Sequence, residues 1–144
     1  MKLILTDQDL IEVDKELCSR SLSHFIKGAW HVLEPGIEYK HNWHVDAISE
    51  HLEAVTSGEI NRLLINVPPG TMKSLATSVF WPAWEWGPAR MPEKRIIGAS
   101  HEAGLATRDT RKMRNLLTSE WYQQRWPIEF TGDQNQKTYY ENAH

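Results

Sequence analysis

The sequence predicts an α/β fold built on a parallel sheet, and three observations predict it. Residues 63–67 (Leu-Leu-Ile-Asn-Val) and 95–99 (Arg-Ile-Ile-Gly-Ala) are short apolar runs with the length of buried strands rather than helices. Each is followed by a stretch with helical spacing of apolar residues. The first run is separated from its helix by a Pro-Pro-Gly turn. Strand, loop, helix, strand and helix in that order open a parallel α/β sheet.

Helices are expected ahead of the first strand. Thr6 with Asp9 three residues on reads as a capping box, and Leu10, Ile11, Val13, Asp14 and Leu17 give a roughly helical apolar face. Leu22, Phe25, Ile26, Ala29, Trp30 and Leu33 carry a second helix, ended by Pro35-Gly36. Residues 34–42 read as a loop. A third helix runs over about 43–56, with Ala47, Ile48, Leu52 and Val55 apolar and Gly58 placed to cap it. Helical character resumes at Lys73, Pro82 kinks or ends that helix, and Gly87-Pro88 closes it. A helix over about 102–117 turns Leu105, Ala106, Met113, Leu116 and Leu117 inward, and residues 119–126 suggest one more short helix. The tail from 127 to 144 is polar and gives no clear pattern. Residues 1–42 form a helical lead-in and 43–144 the α/β part.

Bulk composition excludes several classes. The 144 residues suffice for one domain with a core, and 40% apolar and 24% charged residues are ordinary for a globular protein. A formal net charge of −3 argues against nucleic-acid binding by the surface as a whole, so any DNA contact is local. Cys18 is the sole cysteine, which excludes an internal disulfide and fits a reducing compartment. The apolar start 3–5 is too short for a signal peptide, and no apolar run reaches the length of a membrane span. A cytosolic protein is expected.

Chemistry concentrates at residues 67–74 (Val-Pro-Pro-Gly-Thr-Met-Lys-Ser). A strand runs into a short loop that ends in Lys-Ser at a helix start, which aims backbone N–H groups and a helix N-terminus at one point, as a phosphate requires. Lys73 would reach the β- and γ-phosphates of ATP, and the Ser74 hydroxyl would ligate Mg²⁺. The match to G-x-x-x-x-G-K-[ST] is partial. Met72 stands at the second glycine position, Val67 at the first, and Gly70 is displaced into the middle. An ordinary surface turn also carries Gly and Lys-Ser; the flanking strand and helix, with a second strand about 30 residues on, favour the phosphate.

At this loop the sequence resembles a known family, the large terminase subunit that packages DNA in tailed bacteriophages. The family has a deviant Walker A loop, Pro-Pro-(Arg or Gly)-x-x-Lys-Ser, after an apolar strand, and often an aromatic Pro-Ala-Trp segment after the following helix. Here those are residues 68–74 and Phe80-Trp81-Pro82-Ala83-Trp84-Glu85-Trp86-Gly87. Residues 95–101, Arg108-Asp109, Ser119-Glu120-Trp121-Tyr122-Gln123 and Asp133-Gln134-Asn135 resemble later family elements, and Trp43-His44 resembles its lead-in. The resemblance spans about two-thirds of the chain, from Trp43 onward. It implies a P-loop NTPase of RecA type, here incomplete, with ATP and Mg²⁺ as cofactors. It implies that Pro69, Gly70, Thr71, Met72, Lys73 and Ser74 hold the nucleotide, with Lys73 catalytic and His44 against the adenine. It also implies double-stranded DNA, a small terminase subunit and a portal protein as partners, a ring homo-oligomer for the full-length protein, and a place in the host cytoplasm.

Two departures bear on this expectation. The loop has Gly70-Thr71-Met72 where many terminases place an arginine. No apolar strand ending in paired acids follows Asp133, so the Walker B aspartate, the water-orienting glutamate and the nuclease carboxylates are not in these residues. The expectation is therefore the phosphate-cradling part of the motor without hydrolysis of its own. The alternatives are a non-catalytic P-loop fragment, a helicase or a small kinase.

Other residues have simpler readings. Trp81, Trp84 and Trp86 read as packing residues before DNA contacts. His41, His44 and His51 lack the partners of a metal set, and capping or surface roles suit them. Arg108, Arg111 and Lys112 share a helix face, either solvated or against a phosphate backbone or another subunit.

Overall fold

The computed structural model describes residues 6–131 and 140–143. The apolar start at 3–5 and Asp133-Gln134-Asn135 lie outside them. The described elements are α1 (Asp7–Arg20), α2 (Leu22–Leu33), α3 (Trp43–Ser57), α4 (Lys73–Leu75), a π-helical segment (Ala76–Phe80), α5 (Trp81–Trp86), α6 (Ala103–Leu117) and α7 (Glu120–Gln123).

The expected α/β parallel sheet of an incomplete RecA-type P-loop NTPase is corrected by this structure, which is all-helical among the described residues. Residues 63–67 and 95–99 form no strand and pair neither with each other nor with anything else as a ladder. The sole β contact described is an isolated antiparallel bridge, Phe130 with Asn142, extended by Thr131 N–H to Glu141 O (3.1 Å) and Ala143 N–H to Glu129 O (2.8 Å). The reason is that apolar composition selects burial, whereas a strand also needs a lateral partner for its N–H and C=O groups. Leu63 and Ile65 lean on the helical core, but Leu64 is 84% exposed and Ile97 95% exposed.

The helices follow their sequence signals closely. Thr6 and Asp9 form the full capping box: the Asp9 N–H donates to Thr6 Oγ1 (3.2 Å) and the Thr6 N–H to Asp9 Oδ2 (2.8 Å). Ser21 caps α2 by accepting from the His24 N–H (3.2 Å), Asn42 caps α3, and Gly58 ends α3 at φ +85°, the left-handed conformation that glycine adopts without a Cβ penalty. At Pro82, the second residue of α5, there is no N–H to reach back one turn, and the ring would crowd that carbonyl. The helix passes this point through the π-helical segment, in which the Trp81 N–H bonds Ala76 O, and it runs on to Trp86.

Helix α2 is the hub. Its apolar residues recur at Leu22, Phe25, Ile26 and Ala29, all fully buried, and it packs on α1, α3, the π-helical segment, α5, α6 and α7. Leu22, Phe25 and Ile26 each contribute about 1.5–3 kcal/mol by leaving water, and the smaller Ala29 less. Phe25 lies against Phe80, Trp121, Tyr122 and Trp126 at ring separations of 5.7–6.5 Å. One core therefore draws on both sides of residue 42.

The three tryptophans read as packing residues do pack, each spending its indole N–H inside the chain. Trp84 donates to Cys18 O (2.7 Å), Trp81 to Thr56 Oγ1 (2.8 Å) and Trp86 to Lys94 O (2.9 Å). Among the described residues no helix is long and apolar enough to cross a membrane.

Candidate phosphate-binding loop

Residues 68–72 form a turn braced from within, since Thr71 Oγ1 donates to Pro68 O at 2.7 Å. Two residues of the turn are left-handed, Gly70 at φ +82° and Met72 at φ +65°. Glycine enters that region freely, but a methionine pays a Cβ clash of about 1–2 kcal/mol. Met72 stands at the second-glycine position of the partial sequence pattern, and its backbone lies in the left-handed region that favours glycine. Lys73 then opens α4, and the Ala76 N–H closes the first turn on Met72 O (2.9 Å). The Lys73 ammonium arches back over the turn and donates to Val67 O at 3.4 Å. Pro69, Gly70 and Ser74 are exposed, while Thr71, Met72 and Lys73 are half-buried.

The loop forms one wall of an open groove of about 560 Å³. Gly70, Thr71 and Met72 face residues 36–40, His44 and Trp30 across it. The structure thus brings His44 and the middle of the loop together, whereas Pro69, Lys73 and Ser74 stand outside the lining. Tyr39 also lines the groove, a residue that sequence reading passed over. Its hydroxyl bonds His41 Nδ1 (3.2 Å), His41 Nε2 meets Asp46 Oδ2 (2.9 Å), and Ser23 Oγ donates to Asp46 Oδ1 (2.6 Å). The Ser23 and His41 bonds hold the Asp46 carboxyl below its usual range, and burial pushes the Tyr39 phenol up. This chain pins the 34–42 loop to α2 and α3. His51 is spent on Ala47 O (2.7 Å).

The basic cluster on α6 is largely used internally. Lys112 Nζ bonds Glu34 Oε1 at 2.6 Å, tying α6 to the end of α2, and Arg108 pairs with its neighbour Asp109 (2.8 Å). Arg111 remains exposed.

Sequence reading also missed Glu85, whose carboxylate is buried. It accepts from Thr56 Oγ1 (2.7 Å) and is ion-paired with Lys94. No family model, curated protein or solved structure matches this chain.

Proposed function

We propose that residues 67–74 bind the phosphates of ATP, and that the chain belongs to an ATP-driven motor of the large terminase kind. The left-handed backbone at Met72 carries this reading. It supports the reading because the turn holds a non-glycine residue in a left-handed conformation against a steric cost, directly before a helix that opens Lys-Ser. In this reading the Lys73 ammonium leaves Val67 O and contacts the β- and γ-phosphates, while the loop N–H groups bond the phosphate oxygens. Ser74 is the residue that would hold Mg²⁺, which neutralises phosphate charge when bound. The groove beside the loop, with His44 and Tyr39 on its far wall, offers an aromatic and polar place for the base. The resemblance supplies the rest of the proposal: double-stranded DNA, a small terminase subunit and a portal protein as partners, a ring homo-oligomer, and a place in the host cytoplasm.

Titration with a fluorescent ADP analogue and Mg²⁺ tests the reading. A lysine–phosphate contact is a charge-assisted bond of about 1.5–3 kcal/mol, so Lys73→Ala should weaken binding by roughly tenfold to a hundredfold. Saturable binding that Lys73→Ala leaves unchanged, or no binding by the wild-type chain, would overturn it.

A further inference from the structure

Where α1 meets α2, three donor atoms of three different kinds converge. Asp14 and Cys18 are one helical turn apart on α1, and His24 lies one turn into α2, beyond the Ser21 cap. His24 Nε2 is 3.2 Å from Asp14 Oδ1, Cys18 Sγ is 3.9 Å from the same oxygen, and all three atoms lie within 4.8 Å of one another. Tetrahedral zinc ligands, with bonds of about 2.0–2.3 Å, sit about 3.3–3.8 Å apart along each edge. The donors are therefore already near the edges of one tetrahedron, and about 1 Å of closure completes it. We propose that Asp14, Cys18 and His24 form a three-ligand site for a divalent cation of the zinc class, with solvent as the fourth ligand.

The surroundings fit this chemistry. Cys18 is fully buried while Asp14 and His24 are partly exposed, so an ion enters from their side and meets the sulfur at the floor. Arg125 Nε donates to the other Asp14 oxygen, Oδ2, at 2.7 Å, fixing the carboxylate and leaving Oδ1 directed at the histidine and the thiol. Carboxylates that ligate metals are commonly oriented in this way from behind. Trp84 anchors the backbone through Cys18 O (2.7 Å), which holds α1 in register. Binding breaks the Cys18 S–H bond. Both electrons stay on sulfur to bond the metal, and the proton leaves to solvent, as for any thiol that becomes a ligand. A soft thiolate with an imidazole and one carboxylate selects zinc or cobalt over magnesium or calcium.

Co²⁺ titration of the whole 144-residue chain, followed by absorbance, decides the matter because a thiolate ligand gives a near-ultraviolet charge-transfer band that surface histidines do not. One equivalent should develop that band, and Zn²⁺ should displace it. Cys18→Ser should abolish the band, and His24→Gln should weaken binding by at least about tenfold. Absence of the band in the wild-type chain would overturn the site irrespective of how the variants fold. Cobalt binding that survives Cys18→Ser with the same spectrum would also overturn it.

Discussion

The Tyr122 hydroxyl donates to Ala83 O at 2.7 Å, and the phenolic end of the ring sits close beside Gly87, one turn further along. This contact fastens α7 to the end of α5, and it requires a residue without a side chain at 87. A Cβ there would overlap the Tyr122 hydroxyl and sit 2.9 Å from Tyr122 Cζ and 3.0 Å from Trp126 Cβ. Both neighbours belong to the buried aromatic cluster and have little room to retreat. Gly87→Ala should therefore destabilise the fold by about 1–3 kcal/mol, the usual cost of overpacking. Thermal melts check this: a midpoint within error of wild type would mean that the cluster repacks freely.

Alkaline pH should weaken the same region. Burial pushes the Tyr122 phenol well above its ordinary value and pushes the Cys18 thiol up to about 12. In each case the neutral form is favoured in the folded chain, so the unfolded chain loses its proton first and holds fewer protons. Stability then falls as pH rises. For Cys18 the loss begins near the thiol's ordinary value of 9.0 and continues to about 12, by at most about 1.4 kcal/mol per pH unit. Denaturant midpoints measured across that window should decline, and Cys18→Ala should flatten part of the slope.

The buried ion pair makes an asymmetric prediction. Glu85 is buried while Lys94 keeps about a third of its side chain exposed. Lys94→Met leaves a buried carboxylate with the Thr56 hydroxyl and no cation, whereas Glu85→Gln keeps an acceptor for Thr56 and frees Lys94 to reach water. Breaking such a pair from the exposed side should cost about 2–4 kcal/mol, and Glu85→Gln distinctly less. The double variant should recover part of the loss. Equal costs for the two single changes would show that the pair is solvated in solution.

Sequence alone disclosed the helices because their signals are local: the Thr6 and Asp9 box, the four-residue spacing in α2 and Gly58 after α3 all act within a turn of themselves. The sheet was misjudged because residues 63–67 and 95–99 carry only half of what a strand needs; the other half is a neighbour, which no local pattern encodes. The turn at residues 68–72 was legible from Pro68-Pro69-Gly70, whereas the left-handed backbone at Met72 was not, since a methionine gives no local signal for it. That His44 lines the same groove as Gly70, Thr71 and Met72 needed the tertiary structure, since the two segments lie far apart in sequence. Glu85 stayed hidden as a single acid in an aromatic run, and the Asp14, Cys18 and His24 set spans a helix junction whose geometry only the Ser21 cap defines.

Met72 offers a direct test of strain in the loop. If its left-handed backbone is held against a Cβ penalty, Met72→Gly should be neutral to stabilising by up to about 1 kcal/mol, after loss of its partial packing on the core. Met72→Val should cost more than either, since a branched Cβ suits that region least. Nucleotide affinity should follow the same order. A glycine variant that binds worse than the valine variant would mean that the methionine side chain itself makes the contact.

The two unpaired apolar segments should govern the solution behaviour of the chain. Residues 63–67 and 95–99 present backbone donors and acceptors outside any ladder, together with Leu64 and Ile97 turned almost wholly to water. Exposed apolar segments with unpaired backbone groups are prone to pair with other molecules as strands. Leu64→Lys and Ile97→Lys place a charge on each segment at a side chain with little packing to lose. Surface changes of that type usually alter stability by less than about 0.5 kcal/mol. The double variant should therefore melt at the wild-type temperature and yet remain monomeric at concentrations where the wild-type chain associates. Light scattering across a concentration series separates the outcomes. If association persists in the double variant, the sticking surface lies elsewhere, and the exposed stripe of Leu10, Val13 and Leu17 on α1 is the next to charge. If instead the melting temperature drops by several degrees, Leu64 or Ile97 packs in solution, and the segments are better ordered than their exposure indicates.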